Sequence, residues 1–206
     1  MGRYVVAITG ASGAAYGRRL VGVLAEGGHA VDLIVTAAGF VVLAHELDWQ
    51  DAAYDGPGGL AGRAERFFRP AGASGQVRLH SIHDVMDDLG SGSVTTQGMV
   101  VIPCTMGRIS ALAQGRSQDL LERVADVTLK EGRTLIVVPR ETPLSRIHLR
   151  NLSLLAESGA VVLPAMPGFY HRPRSLEDIV DFVVGKVLAR LSLAQSLLPP
   201  WDALKS

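Results

Sequence analysis

The chain alternates between short, continuous apolar runs and segments in which apolar residues recur at helical spacing. Apolar runs rich in β-branched residues are typical of strands buried on both faces. They predict strands at 4–9, 30–35, 77–80, 98–103, 134–138 and 160–163. The other segments predict helices at 14–25, 37–47, 109–113, 120–130, 144–158 and 175–191. Strands that alternate with helices predict an α/β fold with a doubly wound parallel sheet.

Residues 51–75 interrupt this alternation, because glycine and proline are concentrated there. Too little sequence precedes this segment to form a domain of its own. It is therefore predicted to be a long excursion within one domain that spans residues 1–206, a length that suits a single domain with a sizeable core.

Composition narrows the function. The formal net charge is zero, so nothing favours binding to nucleic acid or to an anionic membrane. Cys104 is the only cysteine, which excludes an intrachain disulfide and fits a reducing compartment. The sequence contains neither a secretory signal nor an apolar run of about 18 residues. We expect a soluble, cytoplasmic protein in which Cys104 is a buried thiol, and no metal site at His80 and His83.

The most informative polar residues follow the apolar run 134–138. Arg140 and Glu141 stand side by side there, between Pro139 and Pro143. Ligands of open parallel sheets bind beyond the carboxyl ends of strands, and proline fixes the local backbone. An adjacent cation and carboxylate at such an end suit a site that holds an anion and moves a proton. The alternative is a helix start with a surface ion pair.

A glycine-rich loop, 10–13, lies between the first predicted strand and helix. Glycines let backbone amides approach a phosphate, and a helix N-terminus favours negative charge. This pattern indicates a nucleotide or flavin phosphate, with a structural tight turn as the alternative. Thr36 stands where dinucleotide enzymes commonly carry an acid. A short-chain dehydrogenase would need a Tyr-x-x-x-Lys pair, and none of the four tyrosines has a lysine four residues later.

Several motifs, taken in order, carry a more specific signal. They are residues 8–17, 91–93, 96–99, 103–106, 123–131, 139–144 with His148, and 164–173. Together they resemble the UbiX/Pad1 family of flavin prenyltransferases over nearly the whole chain, apart from residues 50–80 and the last few. The resemblance implies a Rossmann-like or flavodoxin-like fold.

The resemblance also implies an activity. Members of this family transfer a dimethylallyl group from dimethylallyl phosphate to N5 and C6 of reduced FMN, without a metal ion. The product, prenylated FMN, serves a UbiD-type decarboxylase. The family usually assembles as a homododecamer with active sites at subunit interfaces.

Site residues follow from the same resemblance. The expected FMN contacts are Gly10, Ala11, Ser12, Thr36, Thr105, Met106, Gly107, Arg108 and Arg140. Glu141 matches the acid/base carboxylate, and the expected catalytic residues are Glu141, Arg140, Arg123 and Lys130. Tyr170 and Lys186 match contacts to dimethylallyl phosphate, and Glu46 and Trp201 match further pocket positions. Fixed cations suit this reaction, because breaking an allylic C–O bond puts charge on the departing phosphate.

Two other functions remain open. One is a related flavin enzyme that oxidatively decarboxylates a cysteinyl peptide or pantothenoylcysteine, and the segment 140–143 together with Tyr170 argues against it. The other is a non-catalytic FMN-binding partner of a decarboxylase. The presence of both Arg140 and Glu141 favours an enzyme.

Overall fold

The computed structural model describes residues 1–49 and 59–198. Its described strands form one parallel sheet in the order β3-β2-β1-β4-β5-β6. The strands are β1 (Arg3–Ile8), β2 (Ala30–Val35), β3 (Val77–His80), β4 (Gly98–Cys104), β5 (Thr134–Pro139) and β6 (Val161–Val162). This is the strand order of the Rossmann fold, so the prediction of a doubly wound parallel sheet is confirmed.

Helices cover both faces of the sheet. They are α1 (Ala14–Glu26), α2 (Ala37–Leu47), α3 (Gly59–Phe68), α4 (Met106–Ala113), α5 (Leu120–Lys130), α6 (Arg146–Glu157) and α7 (Leu176–Arg190). Helices α1, α2, α3 and α7 pack into one apolar cluster, and α4, α5 and α6 pack into another. None of the helices in the described part of the chain is long and apolar enough to cross a membrane.

Helix α3 lies within the segment that composition predicted as an irregular excursion. Ala64 and Phe68 are buried one turn apart, and the rings of Phe67 and Trp49 meet edge to face at 4.8 Å. The glycines of this segment lower its helix propensity, but packing of an apolar stripe overrides propensity. The sequence does not predict this helix, because its stability comes from tertiary packing rather than from local helix propensity.

The starts of two helices also differ from the predictions. Helix α4 begins at Met106 rather than Ile109, because the Thr105 hydroxyl caps it. Helix α6 begins after Ser145 rather than at Leu144, since Ser145 and His148 form a capping box. The predicted cap of α7 at Ser175 is confirmed.

A buried charge cluster ties the start of β1 to β2, β3 and the loop that follows β3. Asp32 accepts hydrogen bonds from Arg3 Nε at 2.5 Å and from His80 Nε2 at 2.8 Å. The other ring nitrogen of His80 lies 2.6 Å from Asp87 Oδ2. Burial disfavours a charged imidazole, but the hydrogen bonds to Asp32 and Asp87 outweigh it and raise the pKa of His80. Burial likewise opposes ionisation of Asp32, yet its bonds to His80 and Arg3 lower its pKa.

These shifts predict how stability changes with pH. The contribution of His80 is complete below its unfolded pKa of about 6.5 and is lost as the pH rises through the raised folded pKa. The contribution of Asp32 is present above its unfolded pKa and is lost as the pH falls through the lowered folded pKa. We expect the unfolding free energy, from urea titrations at fixed subunit concentration, to fall from pH 6.5 upward. In His80→Gln this fall should be smaller, and equal pH slopes in the two proteins would refute the assignment.

Candidate active site

Four loops that carry predicted FMN contacts meet at one edge of the sheet. Loop 10–13 follows β1, Thr36 follows β2, Thr105 follows β4 and Arg140 follows β5. All strands are parallel, so these loops share the carboxyl edge. The strand order reverses between β1 and β4, which is where open α/β sheets bind ligands.

Glu46 closes the N-terminus of α1. Its Oε2 accepts hydrogen bonds from the amides of Gly13 and Ala14, both at 2.9 Å. Burial opposes ionisation of Glu46, but a hydrogen bond from the Ser12 side chain and these two amides outweigh it, with help from the charge of Arg140, and lower its pKa. The amides that the sequence indicated for a ligand phosphate therefore already hold a carboxylate.

The N-termini of α2 and α4 offer a second place for an anion. The Thr36 hydroxyl accepts from the Gly39 amide at 3.0 Å, and the Thr105 hydroxyl accepts from the Arg108 amide at 3.3 Å. The first amides of both helices lack a carbonyl partner within their own helix. A side chain added at Gly107 would meet nothing within 4 Å, so there is room beside α4. These features fit a flavin phosphate.

Thr9 links the loop that follows β1 to the loop that follows β4. The sequence alone did not identify it as a site residue. Its hydroxyl donates to the Pro103 carbonyl at 2.7 Å and accepts from the Thr105 amide at 2.9 Å. A buried threonine at the end of an apolar strand carries no distinctive sequence signal, so only the fold shows this link between β1 and β4.

The guanidinium of Arg108 points to α5. It lies 2.6 Å from Asp119 Oδ2 and 2.5 Å from Glu122 Oε1. Glu122 is fully buried and also accepts from the Arg116 side chain and the Gln118 amide. Arg108 was predicted to contact FMN. Its side chain is committed to these carboxylates, which leaves its backbone at the start of α4 for a ligand.

Arg140 and Glu141 lie half-buried at the end of β5. Arg140 Nε donates to the Ser12 carbonyl at 3.1 Å, which ties β5 to the glycine loop. The Thr142 amide donates to Glu141 Oε1 at 3.0 Å. The fold thus brings Arg140 next to Ser12 and Glu46, and Glu141 follows it in the chain, an arrangement that suits anion binding and proton transfer.

The chain does not bring Lys130 to this group. Helix α5 starts near the carboxyl edge, where the Leu120 amide donates to Ile82 just beyond β3, and it runs back to the opposite edge. Lys130 ends the helix and lies 3.4 Å from Glu131. The length of β5, about 20 Å, separates the two edges. Arg123 lies between them and donates to the Gly90 carbonyl at 3.1 Å.

Tyr170 and Lys186, the two predicted contacts to the prenyl donor, share Phe182 as a neighbour on the other face of the sheet. The Tyr170 ring lies 5.6 Å from the Phe182 ring, and Lys186 Nζ lies 5.5 Å from the same ring centroid. A groove of about 380 Å³ between β6 and α7 is lined by Phe182 and Lys186. Trp201 lies outside the described residues.

Cys104 is fully buried, and desolvation raises the pKa of its thiol to about 12, although the charge of Arg108 opposes the shift. It therefore remains a thiol at any physiological pH. The burial of its side chain confirms the expectation that Cys104 is a buried thiol.

Comparison with known proteins identifies the family of this chain. The Flavoprotein family model matches residues 2–188. A flavin prenyltransferase UbiX of Halalkalibacterium halodurans is 46% identical over 204 residues, covering 97% of this chain and 93% of that protein.

Two solved structures share the fold. AnUbiX (PadA1) in complex with FMN and dimethylallyl pyrophosphate superposes with a TM-score of 0.84 and 34% identity, covering 97% of each chain. A dodecameric FMN-dependent UbiX-like decarboxylase from Escherichia coli O157:H7 gives a TM-score of 0.81 and 34% identity, covering 97% of this chain and 98% of that one. With a family model that spans most of its length and a relative of 46% identity, the chain belongs to the flavoprotein family, in its UbiX group of flavin prenyltransferases.

Proposed function

We infer that this chain is a flavin prenyltransferase, which joins the dimethylallyl group of dimethylallyl phosphate to N5 and C6 of reduced FMN and releases phosphate. The observation that carries this inference is the placement of Arg140, which directly precedes Glu141, beside Ser12 and Glu46 in a chain 46% identical to a flavin prenyltransferase. When bound, reduced FMN supplies the nucleophilic atoms that accept the prenyl group.

The residues present suit the parts of this cofactor. We assign its phosphate to the N-termini of α2 and α4, capped by Thr36 and Thr105, because the amides of α1 are held by Glu46. The remaining predicted contacts surround the space between these loops: Gly10, Ala11, Ser12, Met106, Gly107, the Arg108 backbone and Arg140. The hydroxyl of Ser12, with Glu46 behind it, adds a polar group at the same edge.

The charged residues of the site suit a reaction in which an allylic C–O bond breaks and a phosphate departs. Charge develops on the phosphate as the allylic C–O bond opens, and fixed cations and hydroxyls stabilise it there. We assign Lys186 and Tyr170 to that phosphate, with Arg140 nearby. Glu141 is the base that removes the flavin proton, and the released phosphate is the alternative base.

We further propose that the working enzyme is a homododecamer. Lys130 lies at the opposite sheet edge from Arg140, so it reaches a phosphate held there only from another copy. A UbiX-like relative is described as dodecameric. Met166 and Phe169 are 65% and 67% exposed near the carboxyl edge of the sheet, where Arg140 also lies. Exposed apolar side chains of this kind are typical of subunit interfaces.

In this proposal, residues 1–206 form one flavoprotein domain in the cytoplasm, and prenylated FMN passes to a UbiD-type decarboxylase. The two other functions give different results when the protein is incubated with reduced FMN. A cysteine decarboxylase would act on a cysteine-terminated peptide, and a non-catalytic FMN carrier would return the flavin unchanged.

Mass spectrometry of the extracted flavin tests this function. Reduced FMN incubated with the protein and dimethylallyl phosphate should gain one five-carbon unit, and the gain should persist in the presence of a chelator. Oxidised FMN and a reaction without donor serve as controls. FMN that is bound but recovered unmodified would rule the activity out.

A further inference from the structure

Phe182 is a residue within α7 that packs against the loop preceding this helix. Its ring packs edge to face against Tyr170 at 5.6 Å and stacks on His171 at 5.3 Å with an interplanar angle of 17°. The ammonium group of Lys186, one helical turn further on, lies 5.5 Å from the ring centroid. Phe182 is only 8% exposed, so the apolar core holds its ring in place.

The neighbours of this ring are much less restrained. Lys186 is exposed, and Tyr170 is 48% exposed on a loop. A lysine side chain has many rotamers, and fixing it costs entropy unless a contact limits them. The ring face attracts an ammonium group, and edge-to-face pairs favour one arrangement of two rings. One buried ring therefore narrows the positions of both exposed side chains.

The backbone around the ring is shaped to allow this contact. A side chain added at Gly168 would lie 2.8 Å from the Tyr170 ring and 3.0 Å from the Phe182 ring. Among the residues that the structure describes, both ring nitrogens of His171 are buried without a hydrogen-bond partner, and its contact with Phe182 is made by the stacked ring. The close packing of Tyr170, His171 and Phe182 thus depends on a glycine at position 168.

We propose that Phe182 is a positioning residue for the prenyl donor, which acts through Tyr170 and Lys186 without contacting the flavin. The proposal rests on the assignment of these two residues to the donor phosphate. It predicts that loss of the ring weakens donor binding and leaves FMN binding and the maximal rate almost unchanged.

The test uses Phe182→Leu and Phe182→Met, which keep apolar volume and remove the ring. Dimethylallyl phosphate is titrated by calorimetry into the protein loaded with oxidised FMN, so that no turnover occurs. Loss of the cation–π and edge-to-face contacts should weaken donor binding by about tenfold. The Kd for FMN should stay within about twofold, and kcat at saturating donor within about threefold.

Val187→Ala is the matched control, because Val187 is fully buried next to Lys186 on α7. It loosens the core but keeps the ring, so donor affinity should match the wild type. Lys186→Ala should weaken donor binding at least as much as the Phe182 variants. Wild-type donor affinity in both Phe182 variants, or an equal loss in Val187→Ala, would overturn the proposal. A wild-type protein that binds FMN but no donor would instead overturn the proposed function, and this inference with it.

Discussion

Glu141→Gln is expected to bind reduced FMN and dimethylallyl phosphate nearly as well as the wild type and to transfer the prenyl group far more slowly. The amide keeps the size of the side chain and an oxygen that can accept from the Thr142 amide. It cannot take up a proton at neutral pH. General acid–base catalysis typically contributes about 10²–10⁴-fold, so a rate loss in that range is expected.

The measurement is the single-turnover rate of flavin modification with both substrates saturating. Glu157→Gln, the same change at the exposed end of α6, is the control and should turn over at the wild-type rate. Equal rates for wild type and Glu141→Gln would show that Glu141 is only a structural neighbour of Arg140, and the released phosphate would then be the base.

The second large effect is on stability. Glu122→Leu should lower the free energy of unfolding by about 3 kcal/mol, because removing one member of a buried ion cluster leaves the other charges poorly compensated. The value lies at the low end of the usual range for two reasons. Arg108 keeps its ion pair with Asp119 at 2.6 Å, and the Arg116 side chain, 48% exposed, can turn to water.

Chemical denaturation at matched subunit concentration gives this difference. Asp126→Ala is the control, since Asp126 is exposed one turn further along α5 and should change stability by less than about 0.5 kcal/mol. A Glu122→Leu protein as stable as the wild type would mean that its apolar replacement packs well enough to offset the lost ion pairs.

The sheet was predictable because its strands are buried on both faces. Continuous apolar runs such as 134–138 leave few alternatives, and their order along the chain determines a doubly wound topology. Helix α3 was not predictable in the same way, because its apolar stripe is interrupted by glycines and becomes decisive only when Trp49 packs against it.

The candidate site was also only partly predictable from the sequence. Arg140 and Glu141 were recognisable because a charged pair directly after a buried strand is uncommon. Lys130 stands four residues before β5 and Arg140 directly after it, so the predicted parallel topology already separates them, although the resemblance alone groups them in one site. Glu122 was overlooked because an acid in the first turn of a helix usually reflects the helix dipole alone. Its partners come from α4 and the loop that follows, so only the fold assembles this cluster.

Glu46, whose carboxylate caps the start of α1, also disfavours some cofactors at the carboxyl edge of the sheet. A Rossmann-order sheet with a glycine turn after β1 normally takes the pyrophosphate of a dinucleotide at that helix end. Here a pyrophosphate would approach the ionised Glu46. Glu46 is exposed, so water screens part of the repulsion, but its negative charge still opposes a second anion at the same amides. We therefore expect the resting protein to select against nicotinamide dinucleotides before any contact with the flavin is made.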